Sequence, residues 1–246
     1  YVTDAPGFIH QWDMAAEQKM MYLQAAERVD TAVARQLYHG FSRDIGRYDG
    51  QEIVINPGGH LFAYQFSEAW LDTARYLDPD GIDWFNNTRL ASLANRSFCI
   101  EKGDSFPTYH ANSWGISCGD SPWGYDVSGS TPSLQKPIPH GTISIFAAMA
   151  CLPFVPDETL AMIDHVYHKH PALWGPYGFY EAYNLAVSPP WYSHSIYAIH
   201  KGCSMIMIEN YLSQLIWETY TNSPTIQKAL TRSEEHTSEL QSRQYL

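Results

Sequence analysis

The chain has 246 residues, of which 45% are hydrophobic, 17% charged and 14% aromatic, and its formal net charge is −11. This composition fits a globular chain with a sizeable core and excludes intrinsic disorder. The acidic balance, with no Lys/Arg cluster, excludes nucleic acid as an expected partner. No run of about 18 apolar residues offers a membrane span. The cysteines, Cys99, Cys118, Cys151 and Cys203, show no CxxC or CxxH spacing, so neither a metal nor a cofactor is expected.

Helical spacing dominates the chain from its start. Met20, Leu23, Val29, Val33 and Leu37 predict one helix over 17–38. A second is predicted after the Pro-Gly-Gly break at 57–59, through Leu61, Tyr64 and Trp70 to a stop near Asp78-Pro79. The segment 83–102 has Asp83 as N-cap and an apolar stripe of Phe85, Leu90, Leu93, Ala94 and Phe98. A Gly/Pro/Ser-rich loop over 114–138 follows, then a buried helix at 141–152. "PDETLAMIDHVYHKHP" predicts a helix punctuated by prolines, with Asp157 as N-cap. A second aromatic loop, 173–195, leads into an apolar helix from His200 to Tyr220 and a short last one in "SPTIQKAL".

No alternating strand run stands out, so the expected class is all-α, one domain over 1–231. Two loops of more than 20 residues are unusual in a compact domain and tend to carry function. "RSEEHTSELQS" (232–242) has no periodic apolar face and resembles an in-frame translation of a sequencing adapter. Residues 232–246 are therefore set aside as an artefactual disordered tail. The chain opens on Tyr1 and not on Met, and is read as a piece of a longer gene product.

No phosphate loop, HExxH, GxSxG or dinucleotide fingerprint is present. The chemistry must come from acids set among aromatic rings. Asp120 and Asp126 flank Trp123 and Tyr125, and Glu181 lies between two tyrosines. Glycoside hydrolysis needs such a pairing: one group protonates the leaving oxygen, another activates water or attacks the anomeric carbon, and aromatic planes stack on sugar rings. Glu209, in an apolar helix, reads as structural; His140, opening a helix after Pro137–Pro139, is equally open to packing or substrate contact. His165, His168 and His170 do not share one clean face and read as a solvated helix end.

The chain resembles the glucoamylase-like domain family, which includes bacterial endo-β-1,2-glucanases and a domain of cyclic β-1,2-glucan synthases. The pieces that carry the resemblance are "GFIHQWDM", "VDTA", "GGHLFAYQFSEAWLD", "GIDWFNNTRLASLANRSFCI", "WGISCGDSPWGY", "HGTISIFAAMACLPFVPDE", "YGFYEAYN" and "GCSMIMIENY", in the family's order and spread over nearly all of the chain to residue 231. The resemblance implies an (α/α)6 toroid, here incomplete for want of N-terminal helices, with a sugar cleft among the loops at one end. It implies hydrolysis or transglycosylation of β-glucan, β-1,2-linked in the family's manner, an oligo- or polysaccharide partner, and a periplasmic or secreted location. The acid and base are sought among Asp120, Glu181 and His200. Asp30, Tyr64, Trp114, Tyr125, Tyr183, Asn184 and Trp191 are expected to bind the sugar. The chain departs from the family at four places. The E-x-S-x-x-D pattern has Ala25 for its Glu and Glu27 for its Ser; Glu68 stands for a His, Glu181 for an Asp and His200 for an Asp. These departures make a non-catalytic glycan-binding relative the alternative.

Overall fold

The computed structural model describes residues 18–77 and 80–233. Nine helices are described: α1 (Gln18–Ala26), α2 (Thr31–His39), α3 (Leu61–Gln65), α4 (Trp84–Lys102), α5 (Ile145–Met149), α6 (Pro156–Lys169), α7 (Ala198–Ser213), α8 (Leu215–Thr221) and α9 (Pro224–Ser233). The expected single helix over 17–38 is divided. Asp30 leaves helical geometry, and its carboxylate accepts from the Val33 N–H at 3.0 Å, so the chain restarts there as α2. The helix expected after Pro-Gly-Gly closes after five residues and continues as turns and a 3₁₀ segment at Thr73–Arg75.

α4 forms as its stripe predicts, with Asp83 accepting from the Asn86 N–H at 2.8 Å. At α6 the cap expected of Asp157 is taken by Val155, whose side chain makes no cap bond. Pro156 fills the first helical position, and Asp157 and Glu158 lie in the first turn, where the helix dipole favours them. The long apolar helix of 198–221 breaks at Gln214, which takes a left-handed φ of 60°.

The described residues are helix-rich, as the all-α expectation has it, but their loops also carry nine short strands. β1 (Ile45–Tyr48) and β2 (Gln51–Val54) form a hairpin through Asp49-Gly50, both at positive φ, as that tight turn requires. β3 (Gly119–Ser121) pairs with β4 (Gly124–Asp126). β5 (Thr142–Ser144), β8 (Ala182–Asn184) and β9 (Trp191–Tyr192) make an antiparallel sheet in the order β5-β8-β9, and β6 (Trp174–Gly175) pairs with β7 (Gly178–Phe179). The helix expected at 141–152 is thus β5 followed by α5.

The largest apolar cluster runs from Phe85 and Phe98 of α4 through Ile143 and Phe146 to Met162 of α6, Met207 of α7 and Trp217 of α8. A second lies beneath the β1–β2 hairpin, with Ile53, Tyr64, Trp84 and Leu90. A third joins the first helices to the last, with Leu23, Ala34, Ile226 and Leu230. Arg232, counted with the tail in the sequence reading, lies in α9; its guanidinium donates to the carbonyls of Glu27 and Val29 at 2.8 and 2.7 Å. Among the described residues, no helix is long and apolar enough to cross a membrane.

Candidate active site

The two aromatic loops meet at the β5-β8-β9 sheet. Glu181 directly precedes β8, and its backbone is fixed on both sides: its carbonyl accepts from Ile145 and its N–H donates to Ser195, at 3.0 and 3.2 Å. His200 sits in the first turn of α7. Its Nδ1 touches Glu181 Oε1 in a short hydrogen bond. Phe146 stacks on the imidazole at a centroid distance of 3.8 Å, and Phe62 packs at 5.4 Å. Glu181 and His200 are only 5% and 2% exposed. Gly119 lets β3 approach this pair: a Cβ there would stand 3.1 Å from Glu181 Oε1 and 2.9 Å from Ser144 Oγ.

The electrostatics follow from the burial. Desolvation pushes the Glu181 carboxyl above its usual range; the nearby Asp120 charge adds to this, and His200 works against it. Burial alone would lower the imidazole, but hydrogen bonds and charge from Cys118 and Glu181 outweigh it and lift His200 to about 9. The pair therefore behaves as one carboxylate–imidazole unit that keeps a proton above neutral pH.

Asp120 belongs to the same group. In β3 it lies opposite Tyr125, and its Oδ2 accepts from Ser193 Oγ at 2.6 Å. Ser193 is itself held, its N–H on Ala182 O and its Oγ under the Ser195 N–H. Tyr197 adjoins both carboxyls: burial, with Asp120 and Glu181, raises its hydroxyl. Its ring meets Tyr125 and His200 edge-on at 5.8 and 5.6 Å. Tyr125 is 59% exposed, and Trp191 is half-buried in β9. A buried acid–imidazole pair, a half-exposed carboxylate and open aromatic faces can protonate one oxygen while polarising another, which is the demand of glycoside chemistry.

A family model described as "Putative glucoamylase" matches residues 9–224. The chain belongs to this glucoamylase family. It is 30% identical over 185 residues to the exo beta-1,2-glucooligosaccharide sophorohydrolase (non-reducing end) of Parabacteroides distasonis, a match over 74% of this chain and 24% of that protein. A Bacteroides fragilis structure described by the family's name is 28% identical with a TM-score of 0.79, covering 89% of this chain and 53% of that one. The endo-beta-1,2-glucanase of Chitinophaga pinensis, solved with sophorotriose and glucose, is 26% identical with a TM-score of 0.77, covering 89% and 54%. The chain thus spans about half the length of these solved relatives and about a quarter of the sophorohydrolase.

Within this glucoamylase-family chain, Asp120, Glu181, His200, Tyr125 and Trp191 fall in the region of the two loops. The other sequence candidates are placed differently. Tyr64, Trp114 and Tyr183 are core residues, 3%, 0% and 0% exposed, so none offers a ring face to a ligand. Tyr64 accepts from the Asn56 N–H, and Tyr183 is bonded to Ser113. Asn184 braces the sheet, donating to His140 O and Thr142 Oγ1 at 2.9 and 3.0 Å. Asp30 uses its carboxylate to cap α2. Their aromatic or polar character was the signal that drew them in, and burial in a packed loop reads the same way in sequence.

The departures from the family pattern also find partners. Glu68 is buried against Thr73 and Lys19, and Glu27 accepts from Lys228 of α9 at 2.8 Å. Ala25 lies half-buried in α1. Three side chains that the sequence reading does not single out stand in the site or beside it: Ser193, Tyr197 and Cys118; His140, left open there between packing and substrate contact, pairs with Asp126. His140 Nε2 lies 2.6 Å from Asp126 Oδ2, beneath the exposed Trp123.

Proposed function

We propose that this chain carries the reacting half of a longer glycoside hydrolase acting on β-1,2-linked glucan. The observation that supports this most is the buried Glu181–His200 unit set beside Asp120 in an aromatic-lined region. In this reading Glu181, kept protonated by its burial, serves as general acid to the leaving glycosidic oxygen. Asp120, half-exposed and oriented by Ser193, is the carboxylate that activates water or meets the anomeric carbon. Tyr125 and Trp191 stack on the sugar. A sugar hydroxyl in place of water makes the same chemistry a transglycosylation. The printed activities of the Parabacteroides and Chitinophaga relatives support the choice of linkage.

A glycan-binding relative without turnover is the second reading. It is favoured by the depth of Glu181 and His200 and by the family positions now held by Ala25 and His200. Sophorotriose and longer β-1,2-glucan oligosaccharides separate the two. Reducing-sugar release, reduced at least a hundredfold in Asp120→Asn and Glu181→Gln, is expected for the enzyme. Calorimetric binding with no product from the unmodified protein would establish the second reading.

A further inference from the structure

Three imidazoles outside the proposed site form one packed cluster. The sequence reading of His165, His168 and His170 as a solvated helix end holds for His168, which is exposed, and fails for the other two, which are half-buried. His165 of α6 meets His110 edge-on at a centroid distance of 4.6 Å and His170, just past the helix, at 5.4 Å. His170 lies 4.7 Å from the ring of Tyr183 in β8, and its Nδ1 is 3.3 Å from the Tyr192 hydroxyl in β9. Tyr183 is bonded to Ser113, and Ser113 pairs with the backbone of His110. The contacts thus close a ring that ties the 110–113 turn and the end of α6 to two strands of the β5-β8-β9 sheet. Among the described residues no three His, Cys, Asp or Glu side chains are arranged to hold a metal ion, so packing and not a shared ligand joins these rings.

The geometry suits neutral imidazoles. The Asn112 N–H donates to His110 Nδ1 at 3.2 Å, a bond that an imidazolium cannot accept. His165 Nε2 is buried without a hydrogen-bond partner, so a proton added there finds no acceptor. Burial lowers the pKa of all three, and the rings lower one another: His165 acts on His110, His170 on His165 and His110 on His170. The surrounding groups do little to reverse this. On α6, Lys169 lowers His165 further and Asp164 opposes it, while Asp164 also pairs with His168 at 3.2 Å. α4 contributes Arg96, whose guanidinium donates to Ala111 O at 2.9 Å, and Cys99 beside Tyr183. The phenols of Tyr183 and Tyr192 stay protonated throughout the range in which imidazoles titrate.

We propose that His110, His165 and His170 are an acid-sensitive latch on the β8–β9 edge. Neutral, they hold Tyr183 and Tyr192 against the end of α6. Charged together, they repel and loosen β9. The folded values lie below the ordinary 6.5, so the latch is closed above 6.5 and opens as pH falls through the folded values. Ser193 directly follows Tyr192 and carries the 2.6 Å hydrogen bond to Asp120, so opening unseats that carboxylate. This last consequence rests on the proposed role of Asp120; the latch itself does not.

The test follows the isotope-labelled chain by NMR from about pH 8 down to about pH 5. The three imidazoles are expected to titrate below 6.5, and the Tyr192 and Ser193 amide signals to shift in the same window and return on neutralisation. His165→Phe keeps an edge-on ring and removes the middle charge. It is expected to raise the titration of His110 and, at the same time, to abolish the acid shift at Tyr192 and Ser193. A side chain that only packs would not separate the two readouts. His168→Gln, on the exposed side of the same helix, is expected to leave both unchanged. Should His165→Phe lose the circular dichroism of the parent, His110→Gln is the second variant, expected to raise His170 and to abolish the same acid shift. Rings that titrate at 6.5 or above in the parent, an acid shift at Ser193 that survives in the folded variants, or its loss in His168→Gln would overturn the latch. Turnover of sophorotriose is read separately: its absence at every pH defeats the proposed activity, and the NMR result still decides the latch.

Discussion

Two carboxylate–histidine pairs flank the β5-β8-β9 sheet, and they have opposite properties. Glu181–His200 is almost wholly buried, clasped by Phe146 and Phe62, and both partners are driven toward holding protons. Asp126–His140 lies on the β4 side, with side chains 45% and 21% exposed. Burial pushes Asp126 up, but hydrogen bonds from Ser128, Val127 and His140 prevail and bring it below its ordinary value. The same two residue types thus make a proton store where water is excluded and an anchored anion where water enters. Desolvation prevails at Glu181, whereas hydrogen bonds and charge outweigh it at His200 and Asp126.

The comparison is broken most severely by removing the inner carboxylate. Glu181→Gln is expected to cut glucan hydrolysis by about 10²–10⁴-fold. It also strips His200 of one of the two groups, Cys118 and Glu181, that offset its burial. The imidazole, now near 9, is expected to titrate lower, read from its ring resonances by NMR. An imidazole that still titrates near 9 in Glu181→Gln would show that Cys118 alone sets it. Truncation to Ala at either member leaves a buried, uncompensated partner, and is expected to cost about 3–5 kcal/mol in denaturant unfolding. For Asp126→Asn, a surface pair, the expected cost is below about 1 kcal/mol.

The pH dependence of stability should then slope in opposite directions for the two pairs. Glu181 and His200 both bind protons more tightly folded than unfolded. Their contribution is full below the unfolded values of 4.5 and 6.5, and it is lost as pH rises through the folded values, up to about 9 for His200. Asp126 binds its proton less tightly when folded. Its contribution is present above the ordinary 3.8 and lost as pH falls through its lowered folded value. Denaturant midpoints between pH 3 and 10 are expected to fall on the alkaline side in the parent and to flatten there in His200→Gln. The acid limb should flatten only in Asp126→Asn.

How much of this was legible in the sequence differs by region for physical reasons. α4 and α6 were readable because a helix of 14 or 19 residues repeats its apolar face several times and is punctuated by Asp83 or Pro156. The strands were not readable. β8 and β9 are three and two residues long, too short for alternation to show, and they exist because β5, some 40 residues earlier, supplies their partner. The site divides along the same line. Asp120, Glu181 and His200 stood out as titratable groups among aromatics and a departure from a family pattern. Tyr64, Trp114 and Tyr183 looked equally suitable, and only their packing shows them to be core. Ser193 is the reverse case, since its value lies in one long-range hydrogen bond that no local pattern announces.

That hydrogen bond gives the smallest and most specific prediction. Ser193 Oγ donates to Asp120 Oδ2 at 2.6 Å while accepting from the Ser195 N–H, so the hydroxyl hydrogen has one direction to point. It fixes the carboxylate that faces Tyr125 and leaves the Glu181–His200 unit untouched. A hydrogen bond to a charged group contributes about 1.5–3 kcal/mol, so Ser193→Ala is expected to lower kcat by about tenfold or more. KM should change little, because the stacking faces of Tyr125 and Trp191 remain. Ser193→Thr, which keeps the hydroxyl, should recover most of the loss. If Ser193→Ala instead raises KM at constant kcat, Asp120 holds the sugar and does not act on the reacting bond. The outer face of the site would then be the binding half, with the buried pair left to do all of the proton transfer.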